Sequence, residues 1–202
     1  MRRIRTRRPA PVLAAGLAAA LLSVTVPAAH AEAPPPAHDA SRAVRTEPVP
    51  IPGTHLVRGR STLVVDAPVS RVRAAIRAFS RYPEFMPHFR TCRIIGRSPS
   101  GGRDLYLEVE ALHGAVKMWA RVDAMKPAEA DGVETHAIRF LEGNVRELSA
   151  TWRLRPLSGS QTELSLEIFL HPRLPLPVSL LNSENLDGSA RGVQAIRARS
   201  ER

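Results

Sequence analysis

Tyr106, His113, Arg121, His136 and Asn182 carry the side chains of this 202-residue chain that could orient a polarised substrate or move its protons. Such chemistry needs a few polar groups converging inside an otherwise apolar pocket, and the spacing of these five does not force convergence. Each also has a plainer place, on an outer strand face or in a turn. The seven histidines contain no HxxxH-type pair, and Cys92 is the only cysteine, so no metal site and no cofactor is expected. No Gly-x-Ser-x-Gly elbow, Gly-x-Gly-x-x-Gly loop or Walker-type loop occurs. Ser100-Gly-Gly102 reads as a turn. These residues favour a binding protein over an enzyme.

The elements that must position any site are written in the apolar periodicity. Arg58 to Val65 reads as a first strand. Asp66 is placed to cap a helix with Pro68 in its first turn. Val69, Val72, Ile76 and Phe79 make one apolar stripe on it. The helix is expected to end at Tyr82-Pro83, because a residue before proline avoids helical geometry. Glu84 to Phe89 is then a turn or single helical turn. Arg73, Arg77 and Arg81 recur at i, i+4 and i+8 on another face, as solvated charge or as a contact for an anionic membrane surface.

Strands follow over 90–97, 104–111, 116–124, 135–141, 147–155 and 163–170, each alternating apolar and polar, separated by Gly-, Asp- and Ser-containing turns. The pattern is that of an antiparallel meander with one wet face. Trp119 and Phe169 are out of phase with the small apolar residues of their strands and belong to the other face. Leu174-Pro-Leu-Pro177 breaks the sheet. Val178 to about Arg199 reads as a terminal helix, with Leu181, Leu186, Ala190, Val193 and Ile196 as an imperfect stripe. Cys92, within an alternating run, is expected to be buried and inert.

Ahead of these elements, Arg2, Arg3, Arg5, Arg7 and Arg8 precede an apolar run from Val12 to Val26 and the small-x-small site Ala29-His30-Ala31. Residues 1–31 therefore read as a secretory signal peptide, placing the protein in the periplasm or outside the cell; the alternative is an N-terminal membrane anchor. Residues 32–53 are a Pro-rich linker, semi-extended and poorly ordered. Removing residues 1–31 takes away five Arg and no acid, so the charge falls from +10 to +5. The basic residues that remain are scattered among acids, and no nucleic-acid partner is expected. Residues 54–202 read as one domain, long enough to bury a core without a disulfide.

Ala67-Pro68-Val69, the helix that follows and Tyr82-Pro83-Glu84-Phe85-Met86-Pro87 resemble the opening of the START-like (Bet v 1-like, SRPBCC) superfamily. The branch they look like is the polyketide cyclase/dehydrase and coenzyme Q-binding protein family. Leu148-x-x-x-Trp152-x-Leu154-x-Pro156 and Thr162-x-Leu164-x-Leu166-x-Ile168 are similar to that family's last two strands. The resemblance implies an α+β helix-grip fold: a curved antiparallel sheet of about six or seven strands wrapped around a long C-terminal helix, with an apolar cavity between them. It implies a hydrophobic small molecule (a lipid, a quinone or a polyketide-like compound) as partner. A cyclase or dehydratase on the same fold is the alternative, and an envelope module contacting membrane or protein is another. The candidate cavity residues are Phe85, Met86, Phe89, Met118, Phe140, Trp152, Leu166 and Leu181, with Tyr106, His113, Arg121 and Asn182 as its candidate polar groups. The chain departs from the quinone-binding members in its export-type N-terminus and in Asn182, Asn185 and Asp187 near the start of the last helix.

Overall fold

One-sided alternation builds a single antiparallel sheet whose inner face packs on the terminal helix. The computed structural model describes residues 43–111, 114 and 116–202. The export-type segment, the first part of the linker and His113 lie outside the described residues. The strands are β1 (Arg45–Pro50), β2 (Val57–Val65), β3 (Phe89–Arg97), β4 (Arg103–Ala111), β5 (Val116–Ala124), β6 (Ala128–Ala130), β7 (Val133–Gly143), β8 (Val145–Pro156) and β9 (Thr162–Pro172). The helices are α1 (Val69–Arg77), α2 (Tyr82–Phe85) and α3 (Val178–Ser200). The sheet order is β1-β2-β9-β8-β7-β5-β4-β3, with β6 paired to β7. The first long strand thus lies beside the last, and the meander curls between them.

Nine strands occur among the described residues, where six or seven were expected. The two additions carried no apolar signal. All three residues of β6 are exposed. β1, expected within an unordered linker, pairs with β2 from Arg45↔Thr62 to Pro50↔Val57 while staying almost wholly exposed. It is the outermost strand on that side, where Pro48 and Pro50 need no partner for a missing N–H.

Helix α1 is shorter than its stripe suggested. It ends at Arg77 with Ala78 as its C-cap, and a 3₁₀ turn over Phe79–Arg81 leads into α2. Pro83 sits in the first turn of α2 and opens that helix instead of stopping α1, because the first turn needs no N–H from it. The N-cap position of α1 is held by Pro68, and Asp66 lies two residues before it. Its Oδ1 accepts from Gln161 Nε2 at 2.9 Å. Tyr82 holds the junction: its hydroxyl donates to the Ile76 carbonyl at 2.6 Å, satisfying an end group of α1. Edge-on contacts with Phe79, Phe85 and Phe89 surround its ring, and burial holds its phenol protonated.

The core lies between the inner sheet face and α3. Leu63, Leu105, Leu154, Leu164 and Ile196 are among its largest fully buried side chains. α3 buries Leu181, Asn185, Ser189, Gly192, Val193, Ile196 and Ser200. Asn185 and Ser189 take places where Leu186 and Ala190 were expected, because this face rests on the backbone of β2, where bulky side chains do not fit. An added Cβ on Gly59 would lie 2.0 Å from the Asn185 carbonyl oxygen. Ser189 and Ser61 share a buried hydrogen bond of 2.7 Å, extended by Thr46 of β1 at 2.8 Å from Ser61.

Cys92 is buried on β3, and burial pushes its thiol up to about 12. The native protein is expected to give no reaction with a thiol reagent at pH 8, and full reaction in denaturant. Equal rates in both conditions would contradict that burial.

Candidate ligand cavity

The inner face of β8 and β9 supplies the base of a cavity of ≈ 180 Å³, through Ala150, Trp152, Leu166 and Ile168. α3 covers it with Leu181, Asn185, Gly188 and Gly192. Met86, Pro87, His88 and Phe89, joining α2 to β3, close one side, and Val109, Val116 and Met118 another. Strand alternation puts the apolar set on one face. On α3, residues 181, 184, 185, 188, 191 and 192 recur at i, i+3, i+4, i+7, i+10 and i+11, a single helical stripe.

Four polar or charged lining residues have access to water. His88 is exposed, and Glu110, Glu184 and Arg191 are half-buried. They make the mouth. Arg191 Nη2 lies 3.7 Å from Glu184 Oε2, a loose pair, and Arg191 Nε is buried without a hydrogen-bond partner among the described residues. Glu110 is held below the usual carboxylate range by its hydrogen bond to Arg90, 2.7 Å away. His88 has φ 68, in the left-handed region uncommon for a non-glycine residue. Its carbonyl accepts the Glu110 N–H at 2.9 Å, tying the turn to β4.

Asn185 builds the cover. The β2–β9 pairing ends at Gly59↔Ile168. Beyond that pair the Asn185 side chain fills the split: Oδ1 accepts the Leu170 N–H at 2.8 Å, and Nδ2 donates to the Val57 carbonyl at 3.3 Å. Gly192 lets the helix come close, since a Cβ there would meet Leu166 Cδ2 at 2.6 Å.

Of the expected cavity residues, Met86, Phe89, Met118, Trp152, Leu166 and Leu181 stand on the wall. Phe85 does not. Its ring packs on Tyr82 and lies 5.6 Å beneath the Arg199 guanidinium. Phe140 pairs opposite Val122 and packs on the core, while Ile138 takes the wall position on that strand.

The described polar candidates all lie elsewhere. Tyr106 is on the outer face, stacked on Trp119 and donating to Glu108 Oε1 at 2.7 Å. Arg121 is paired with Asp104 and Glu142, both at 2.6 Å. Asn182 Oδ1 accepts the Val57 N–H and its Nδ2 donates to the His55 carbonyl, each at 3.0 Å. Its role is to fasten α3 to β2. His136 sits on β7 with Nε2 2.8 Å from Glu134 Oε1. Burial lowers its pKa, and Glu134 offsets that only in part. His113 falls outside the described residues. Trp119 is partly exposed, and Phe169 is buried beneath Arg58, 5.7 Å from ring centroid to guanidinium. In the arginine stripe, Arg73 pairs with Glu134 at 2.6 Å and Arg81 with Glu84 at 2.7 Å.

Sequence reasoning missed His88, Glu110, Glu184, Asn185 and Arg191. Glu184, Gly188 and Arg191 do share the helical phase of Leu181, but an apolar-stripe reading passes over polar residues at those positions.

An antiparallel sheet curled onto a long C-terminal helix, with an apolar cavity between them, is the START helix-grip fold. The family described as polyketide cyclase / dehydrase and lipid transport matches residues 65–183, more than half of the chain, and the protein belongs to that family. No curated protein sequence matches the chain. Among solved structures, the STAR-related lipid transfer protein of Xanthomonas axonopodis (fragment 25–204) is similar at TM-score 0.66 and 13% identity, covering 79% of this chain and 94% of that one. A START superfamily protein of Mycobacterium smegmatis gives TM-score 0.58 at 23% identity, covering 70% and 95%. The Zhui aromatase/cyclase of Streptomyces sp. R1128 gives 0.55 at 20%, covering 79% and 95%. These likenesses are of fold.

Proposed function

We propose that this domain binds a hydrophobic small molecule, a lipid, a quinone or a polyketide-like compound, in the cavity under α3. The apolar wall centred on Trp152, Leu166 and Met118 carries this reading. The ligand is amphipathic: its apolar body packs on Trp152 and its polar end meets the unpartnered Nε of Arg191 at the mouth. Membership of a family that includes lipid transport, and likeness in fold to the Xanthomonas lipid transfer protein, support the same class. The placement of Tyr106 and Arg121 outside the cavity and the structural use of Asn182 favour binding over cyclase chemistry. The basic and apolar N-terminus supports a protein that works after export. The cavity is smaller than the ≈ 300–1,000 Å³ typical of pockets around drug-sized ligands. A larger ligand therefore enters by moving the turn from Met86 to Phe89 or the start of α3.

Native mass spectrometry of protein purified from its own host tests this. A copurifying apolar adduct is expected, on a chain whose mass starts at Glu32. Titration of the stripped protein with a fatty acid, a quinone and an aromatic polyketide should change Trp152 fluorescence in a Trp119→Phe background. No adduct and no saturable response to any of the three would refute the reading.

A further inference from the structure

A second cavity, of ≈ 300 Å³, lies at the other ends of β3, β4 and β5. Phe79, Ala124 and His136, all buried, face it from within. Its rim carries Arg77, Arg97, Arg103 and Lys126, and no carboxylate among the described residues lines it. These four cations make no ion pair among the described residues, although acids nearby are engaged elsewhere. Asp104 is taken by Arg121 at 2.6 Å, Asp123 by Arg139 at 3.3 Å and by Ser100, and Glu134 by Arg73 at 2.6 Å. The wet face of β2, β8 and β9 is the opposite case, with Arg60 and Arg155 matched to Glu167 and Glu163.

Arg97 and Arg103 are direct cross-strand partners in the β3–β4 register. Like charges directly opposite each other destabilise a strand pair, so this pairing calls for a counter-charge that the described residues do not supply. The turn joining these strands also brings its backbone under the fourth cation. Gly101 has φ +75, and an added Cβ would lie 3.2 Å from Lys126 Nζ. Glycine here satisfies the left-handed conformation and leaves room for the ammonium.

We infer that this cavity binds a phosphate-type oxyanion, free in solution or carried as the headgroup of an anionic lipid. Guanidinium groups grip such oxyanions with paired N–H donors, and a multiply charged anion relieves the Arg97–Arg103 repulsion. The site is separate from the apolar cavity and does not depend on what that cavity holds.

The test compares the full chain in sodium phosphate and in sodium chloride at equal ionic strength. Phosphate is expected to raise Tm by at least about 2 °C over chloride. That rise should vanish in Arg97→Gln/Arg103→Gln and in Lys126→Gln, and persist in Arg146→Gln, which removes an exposed charge elsewhere. The double variant should also melt higher than wild type in chloride, since it removes the like-charged pair. Flotation with phosphatidylcholine vesicles, with and without phosphatidylglycerol, separates the two sources. Retention on the anionic vesicles, lost in the same variants, assigns a lipid headgroup; a phosphate response without retention assigns a soluble anion. Identical melting in both salts with no retention on anionic vesicles, or equal responses in all variants, would overturn the inference.

Discussion

Gly59→Ala is expected to cost this domain about 3 kcal/mol or more, seen as a large drop in its urea midpoint. The added methyl would sit 2.0 Å from the Asn185 carbonyl oxygen, 2.4 Å from its carbon and 2.7 Å from the Leu186 nitrogen. All three are backbone atoms in the middle of a helix, so no side chain can turn away to make room. α3 must lift from β2, and the Asn185 amide then loses its grip on Val57 and Leu170. Buried backbone groups left without partners add about 1–3 kcal/mol each to the clash itself. Gly96→Ala on β3 is the comparison, because an added Cβ there meets nothing within 4 Å. A Gly59→Ala loss no greater than that of Gly96→Ala would mean that α3 does not rest on the backbone of β2.

The second large effect concerns the cavity and leaves the fold standing. Gly188 lies on the cavity wall in the middle of α3, and an added Cβ there finds open space. Gly188→Phe therefore directs a ring into the cavity from the helix side, starting from a Cβ that meets nothing within 4 Å. Replacing a helix-interior glycine also removes a conformational cost of about 0.5–1 kcal/mol. The variant is expected to melt no lower than wild type and to weaken apolar ligand binding at least tenfold, about 1.4 kcal/mol. Gly188→Ala should show the stabilisation and keep most of the binding. Wild-type affinity in Gly188→Phe would place the ligand outside this cavity. The same substitution one helical turn later does not serve, because a Cβ on Gly192 meets Leu166 at 2.6 Å and disturbs packing and cavity together.

Six of the eight apolar positions expected on the cavity wall stand there, because wall and core are the same face of the sheet and share one period. Phe85 and Phe140 have the right residue type but lie off the wall, through a helical turn that points Phe85 toward Arg199 and a strand on which Ile138 holds the nearer place. Tyr106 and Arg121 have side chains suited to a polar pocket, but their strand phase places them on the outer face. They alternate with Leu105, Leu107, Ala120 and Val122, which are buried. β1 and β6 left no trace in the apolar pattern because both faces of each meet water. The end of α1 is not legible at Tyr82-Pro83, because proline is compatible both with a helix stop and with a helix first turn.

Amino-acid order alone determined the antiparallel sheet, the terminal helix and the apolar inner face, since each follows from local periodicity that side-chain burial enforces. Tertiary structure alone decided which polar residues face the cavity and which face strand backbone. Asn182, Asn185, Glu184 and Arg191 are neighbours on one helix, yet the first two fasten α3 to the sheet and the last two open on the mouth. That division is set by the approach of α3 to Gly59 and by Gly192's approach to Leu166, distances between segments far apart in the chain. It likewise decided that Arg77, Arg97, Arg103 and Lys126 meet around one cavity, because strand register and the packing of α1 on the sheet bring them together and sequence spacing does not.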